Sequence, residues 1–124
     1  MNPTTITTGK AYFEYEYLHL GAISRDEVTI AVYAEALQVG TVMGKVTATQ
    51  EYAPYNPTAT DGTEVAIAVL GRGVDTTVTS QKSVVTARLA EVNKRSLVFV
   101  GTVTETQKQV AYNSLKENLI IVRD

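Results

Sequence analysis

Apolar and polar residues alternate along most of this chain with a period of two, the mark of half-buried strands, and only near the C-terminus does the period lengthen to that of a helix. The first such stretch is Ala11-Tyr12-Phe13-Glu14-Tyr15-Glu16-Tyr17-Leu18. Strict alternation puts Phe13, Tyr15 and Tyr17 on one face and Glu14 and Glu16 on the other. Two readings of it stand side by side. It is the first strand of the core sheet, or it is an exposed adhesive strand that Gly9 and Gly21 leave free to swing. The residues before it, Met1 to Thr8, are rich in Thr and carry one large apolar side chain, Ile6, too little burial to offset the entropy of ordering them. Residues 1–24 therefore read as an N-terminal arm and 25–124 as the body.

Within the body, Val28-Thr29-Ile30-Ala31-Val32 reads as a strand, and Ala34 to Leu37 fits a helical turn and a bulged strand equally. A second strand spans Gly40 to Thr47, where paired glycines point to a bulge or a close backbone contact. Gln50 to Thr60, with Tyr52, Pro54, Tyr55 and Pro57, reads as a loop, and Asp61-Gly62 as a turn. The run Val65 to Leu70 is short, apolar and bounded by turns, so it is expected to be a strand buried on both faces; Gly71-Arg72-Gly73 ends it. A further strand covers Val84 to Val92, a turn follows at Asn93 to Ser96, and Leu97 to Val100 is again apolar. Thr104 with Gln107 three residues later predicts a capping box, and Val110, Ala111, Ser114 and Leu115 form a stripe at helical spacing up to Asn118, a left-handed stop. Leu119 to Val122 closes the body as a last strand. The class is β-rich α+β: a single compact domain of short strands with one C-terminal helix and an extended N-terminal arm.

Composition narrows the chemistry. The 124 residues hold no cysteine, which removes disulfides, thiolate metal sites and cysteine nucleophiles. Thirteen acidic against eleven basic residues give a net charge of -2, and the densest basic spot is the pair Lys94-Arg95, so neither nucleic acid nor an anionic membrane is expected as a partner. No apolar run approaches a membrane span, and Met1-Asn2-Pro3-Thr4 does not open a secretory leader, so synthesis and folding in a cytoplasm are expected. The one histidine, His19, has no cysteine and no converging carboxylates on its face of the strand, and it is read as a structural side chain whose replacement by Ala changes little. No serine sits in a nucleophile elbow, and Gly71-Arg72-Gly73 lacks the rest of a phosphate loop. No catalytic residue, metal site or cofactor emerges.

The order of the body segments carries a resemblance. Gly40 to Thr47, the Tyr-Pro loop, Asp61-Gly62-Thr63, Ala66 to Leu70, Val74-Asp75, the Val84 to Val92 strand, Leu97 and the ending from Leu115 to Arg123 together resemble the head decoration, or capsid-cementing, proteins of tailed bacteriophages of the lambda type. The likeness covers roughly Val28 to Arg123. It implies a β-tulip or barrel-like protomer that forms a homotrimer, made in the bacterial host cytoplasm and carried on the outer surface of the virion. It implies binding to the major capsid protein of the expanded capsid, clamping of adjacent capsid subunits, and no enzyme activity. In that setting Tyr12, Phe13, Tyr15, Tyr17 and Leu18 are the expected capsid-binding residues of the arm, and Tyr52 and Tyr55 the expected subunit or surface contacts. Two other classes remain open: a carbohydrate-binding β-domain using Tyr52 and Tyr55 as a platform, and a small hydrolase using His19 with a carboxylate.

Overall fold

A computed structural model of the chain describes residues 13–124. Five short strands close a barrel: β2 (Arg25–Ile30), β3 (Val42–Lys45), β4 (Tyr52–Pro54), β5 (Ala68–Leu70) and β6 (Gln81–Thr86), in the order β2-β4-β3-β5-β6 with β6 returning to β2. Beside it lies a three-stranded sheet of β1 (Glu16–His19), β7 (Ala90–Asn93) and β8 (Ile120–Arg123), ordered β1-β7-β8. A helix, α1 (Glu105–Glu117), connects β7 to β8, which run parallel. Parallel neighbours need a crossover long enough to bring the chain back to the starting end of the sheet, and the helix supplies it.

The barrel wall is shared by two cores. Ile30, Met43, Ala68, Leu70 and Val85 come from four of its strands and form one buried cluster. Val42 and Val69, the alternate residues on β3 and β5, face the other way and pack with Tyr15, Tyr55, Val92, Ala111, Leu115 and Ile120. Period-two alternation thus serves both cores, and β5 is buried on both faces over Ala68, Val69 and Leu70. Val65, at the start of the apolar run, is exposed, because the turn that closes with Val65 N–H on Gly62 O keeps it outside the barrel. The close contact expected of the β3 glycines is real: a Cβ on Gly44 would stand 2.7 Å from Thr63 Cα. Gly62 itself takes a positive φ of 111°, and the Asp61 carboxylate accepts from Thr63 N–H and Oγ, so Asp61-Gly62 is the expected turn.

The capping box is present as expected, with Gln107 N–H donating to Thr104 Oγ1 (3.2 Å) and Thr104 N–H to Gln107 Oε1 (2.9 Å). Ala111 and Leu115 are the buried positions of the stripe, while Val110 points to solvent. Five stretches depart from the local pattern or settle what it left open. Ala34 to Leu37 forms no helix; Leu37 makes an isolated bridge to Val74. Tyr52 lies in β4 rather than a loop, because Ala53 and Pro54 pair with β3 and the barrel needs this strand to close. The stretch from Val84 to Val92 is two strands: Leu89 takes a φ of 56° and turns the chain from the barrel into the second sheet. The left-handed residue after α1 is Leu119 (φ 61°), not Asn118. Leu97 to Val100 contributes a single bridge, Val98 to Thr41, rather than a strand.

The Tyr15 hydroxyl, at the meeting of barrel and sheet, donates to Val69 O (3.0 Å) and lies 2.8 Å from Thr86 Oγ1. Burial pushes this phenol well above the ordinary tyrosine range, outweighing the Thr86 hydrogen bond, and burial raises Tyr52, Tyr55 and Tyr112 in the same direction. The sign follows from linkage. Below the unfolded pKa of about 10 both states hold the proton; above it the unfolded chain ionises while the folded one does not, so stability falls as pH rises. The melting temperature is expected to drop steeply above about pH 10, and Tyr15→Phe to flatten that drop. Thermal melts from neutral to strongly alkaline pH check this, and equal alkaline slopes for the two proteins would refute it.

Candidate interaction surface

The N-terminal segment is held by one buried carboxylate. Glu16 Oε1 accepts from Arg25 Nη2 (2.7 Å) and from Phe13 N–H (2.8 Å), while Oε2 accepts from Thr86 Oγ1 (2.7 Å) and Arg25 Nη1. The Glu16 side chain is 0% exposed and that of Arg25 10%, so both charges are out of water. The Phe13 ring covers the guanidinium at 4.0 Å and rests on Gly71, where an added Cβ would approach the ring to 2.3 Å. Gly71, read from sequence as part of a plain turn, is the seat of an aromatic ring.

This arrangement divides the aromatic octet. Phe13 to Glu16 forms a turn closed by Glu16 N–H on Phe13 O (2.9 Å), and the β1–β7 register slips between Glu16 and Leu18. Turn and bulge cancel the period of two, so Glu16, expected on a solvent face, is buried together with Tyr15 and His19. Phe13 and Tyr15 face the body's own core, Tyr15 at 1% exposure. Tyr17 and Leu18 point outward, each 46% exposed, and the Tyr17 hydroxyl donates to a main-chain oxygen of Asp124. Tyr12 lies outside the described residues. Residues Glu16 to His19 of the N-terminal segment pair antiparallel with β7.

The outward residues of β1 belong to a larger apolar area. Leu20 and Ile23 are also more than half exposed, and Leu18, Leu20, Leu89, Leu119 and Ile121 line a groove of about 250 Å³ on the outer face of the three-stranded sheet. Leu18 and Leu20 were visible in the sequence beside Gly21; Leu89 and Leu119 reach the groove through left-handed backbone that no hydropathy pattern announces. Glu91 and Ala90 complete the lining of this groove.

The two candidate tyrosines of the Tyr-Pro segment part company. Tyr55 is buried, its ring edge-on to Phe99 and its hydroxyl donating to Gln107 O (3.2 Å), so it forms no platform with Tyr52. Tyr52 is half-buried beside the Arg88–Asp26 ion pair, in a cleft described below. His19 is buried, and its Nδ1 accepts from Gly21 N–H (2.9 Å). Its replacement therefore removes a packed, hydrogen-bonded side chain, which corrects the expectation of a near-neutral change. Among the described residues no three His, Cys, Asp or Glu side chains converge as a metal site, and no helix is long and apolar enough to cross a membrane.

The fold is a closed barrel beside a helix-backed three-stranded sheet, with an apolar groove on the outer face of that sheet. The family model of the Bacteriophage lambda head decoration protein D matches residues 13–120, and the chain belongs to that family of phage head proteins. No curated protein matches the chain.

Removing one partner of the buried pair leaves a charge without its counter-ion. Glu16→Ala is expected to cost about 3–5 kcal/mol, and the double replacement Glu16→Leu with Arg25→Met markedly less. Urea denaturation decides it; a single variant as stable as the parent would show that the pair does not hold β1. By the same measurement His19→Ala should cost about 1–3 kcal/mol.

Proposed function

We propose that the protein decorates the outer surface of the expanded phage capsid as a homotrimer and clamps adjacent major capsid subunits against one another. The observation that supports this most is the coincidence of the family match over residues 13–120 with the apolar face formed by Leu18, Leu20, Leu89 and Leu119. Tyr17 and Leu18 remain the proposed capsid contacts of the N-terminal segment, with Leu20 added from the same groove; Phe13 and Tyr15 serve by anchoring β1.

The clamp follows from the sheet order. β1 is an edge strand in β1-β7-β8, so a strand from a capsid subunit has backbone groups to pair with. Burying a large apolar side chain there contributes about 1.5–3 kcal/mol before ordering costs. One such contact is weak. Three copies on one trimer raise the effective concentration, so attachment becomes tight although each arm binds modestly. A net charge of -2 and the scattered basic residues direct this partner choice to protein rather than nucleic acid.

The test is co-sedimentation with expanded and unexpanded capsids, with light scattering and crosslinking for the copy number. Binding only to expanded capsids, as a three-fold unit, is the expected result; a two-fold dimer on the capsid would sink the proposal. Leu18→Asp and Leu20→Asp should weaken attachment about tenfold or more with a melting temperature close to that of the parent.

A further inference from the structure

A second surface lies between the barrel and the end of α1. Tyr52 and Ile67 meet Asp26, Arg88, Lys45 and Asn118 around a cleft of about 440 Å³, a size suited to a small molecule. We propose that this cleft binds a neutral saccharide ring, stacked on Tyr52 and hydrogen-bonded by Asp26, Arg88 and Asn118. The cleft shares one lining residue, Leu119, with the apolar groove; its polar groups lie outside that groove.

The chemistry of the lining selects the ligand class. A polyhydroxyl ring needs donors and acceptors around one apolar face. The cleft supplies an acceptor carboxylate in Asp26, donors in Arg88 and Lys45, an amide with both in Asn118, and the ring of Tyr52, with the mobile Lys45 ammonium 5.8 Å from its centroid and Ile67 also in the lining. Arg88 is fixed for this task, since Nη1 donates to Ile23 O (2.7 Å) and Nη2 to Asp26 Oδ2. Burial, helped by the Asp26 charge, raises the Tyr52 phenol above its ordinary range and keeps it a neutral donor.

Two alternatives fit less well. A phosphorylated ligand wants excess positive charge, but Asp26 and Glu117 balance Lys45 and Arg88 in the lining. An extended peptide wants a free strand edge, and β2, β3 and β4 are closed into the barrel. Leu119, 56% exposed, lines the mouth of the cleft.

Amide-shift titration of the full chain with maltotriose, chitotriose and galactobiose tests the proposal. Saturable shifts at residues 26, 52, 88 and 118 with one of these sugars, at a Kd of about 10 mM or tighter, are expected. Tyr52→Phe should bind within about threefold of the parent, while Tyr52→Ala and the surface variant Asn118→Ala each weaken binding about tenfold. Shifts confined to other residues, no saturable shift with any of the three sugars, or full-strength binding by Asn118→Ala and by a folded Tyr52→Ala would each overturn it. Capsid attachment, measured in parallel, should be unchanged in Asn118→Ala, which separates this site from the capsid reading.

Discussion

Everything at the N-terminal side of this molecule hangs on the buried Glu16–Arg25 pair. Two ions taken out of water are costly unless every lone pair and proton is used. Here the carboxylate receives donors from Phe13, Arg25 and Thr86, and the guanidinium is covered by the Phe13 ring. Arg25 and Thr86 are opposite partners on the barrel strands β2 and β6, so the pair ties β1, a strand of the other sheet, to the barrel wall. Tyr15 follows from the same constraint, its hydroxyl shared between Val69 and Thr86 on the same wall. With Glu16 and Tyr15 fixed inward, the bulge that follows has to turn Tyr17 and Leu18 out. The outward face thus depends on the inward one.

The barrel is too small to hold all of the apolar side chains its strands carry, and the rest of the chain answers that. The outer faces of β3 and β5 offer Val42 and Val69, which need cover. The β7–α1–β8 unit provides it: Val92, Ala111, Leu115 and Ile120 close over them. Because that unit packs the core by its inner face, its outer face leaves Leu119 exposed and Leu89 and Ile121 half-buried along the groove. The contact surface is the far side of the layer that completes the core.

How much of this was legible depended on whether the deciding interactions were local. The capping box and the Asp61-Gly62 turn are set by residues within a few positions, and each appears where the sequence places it, while the apolar run from Val65 becomes a strand only over Ala68 to Leu70. β4 was read as a loop because two prolines and a short span hide a strand that exists only to close the barrel. Leu89 and Leu119 adopt positive φ values that favour other residues, so a continuous strand and an Asn118 stop were the natural local readings, and tertiary pairing overrode both. The same holds for the contact residues. The aromatic alternation predicted one sticky face, but the partner of Glu16 lies nine residues on, at Arg25, and nothing in the spacing marks it. The Tyr52–Tyr55 pairing failed for a plainer reason: three residues apart across a strand end, they fall into different cores.

Two surfaces of unlike chemistry therefore meet at one residue. Leu119 lines both the apolar groove and the polar cleft, at the junction where α1 hands the chain to β8. Its carbonyl accepts from Ala90 N–H (3.1 Å), which pins this junction to the start of β7, while its own N–H is held by Lys116 O (2.8 Å). Both main-chain groups are engaged, so the backbone at this junction is held in place. A partner seated on the apolar side would press on the same residue that bounds the cleft. Leu119 thus belongs to both surfaces, while the polar groups of the cleft come from barrel strand β2 at Asp26 and from the connection between β6 and β7 at Arg88.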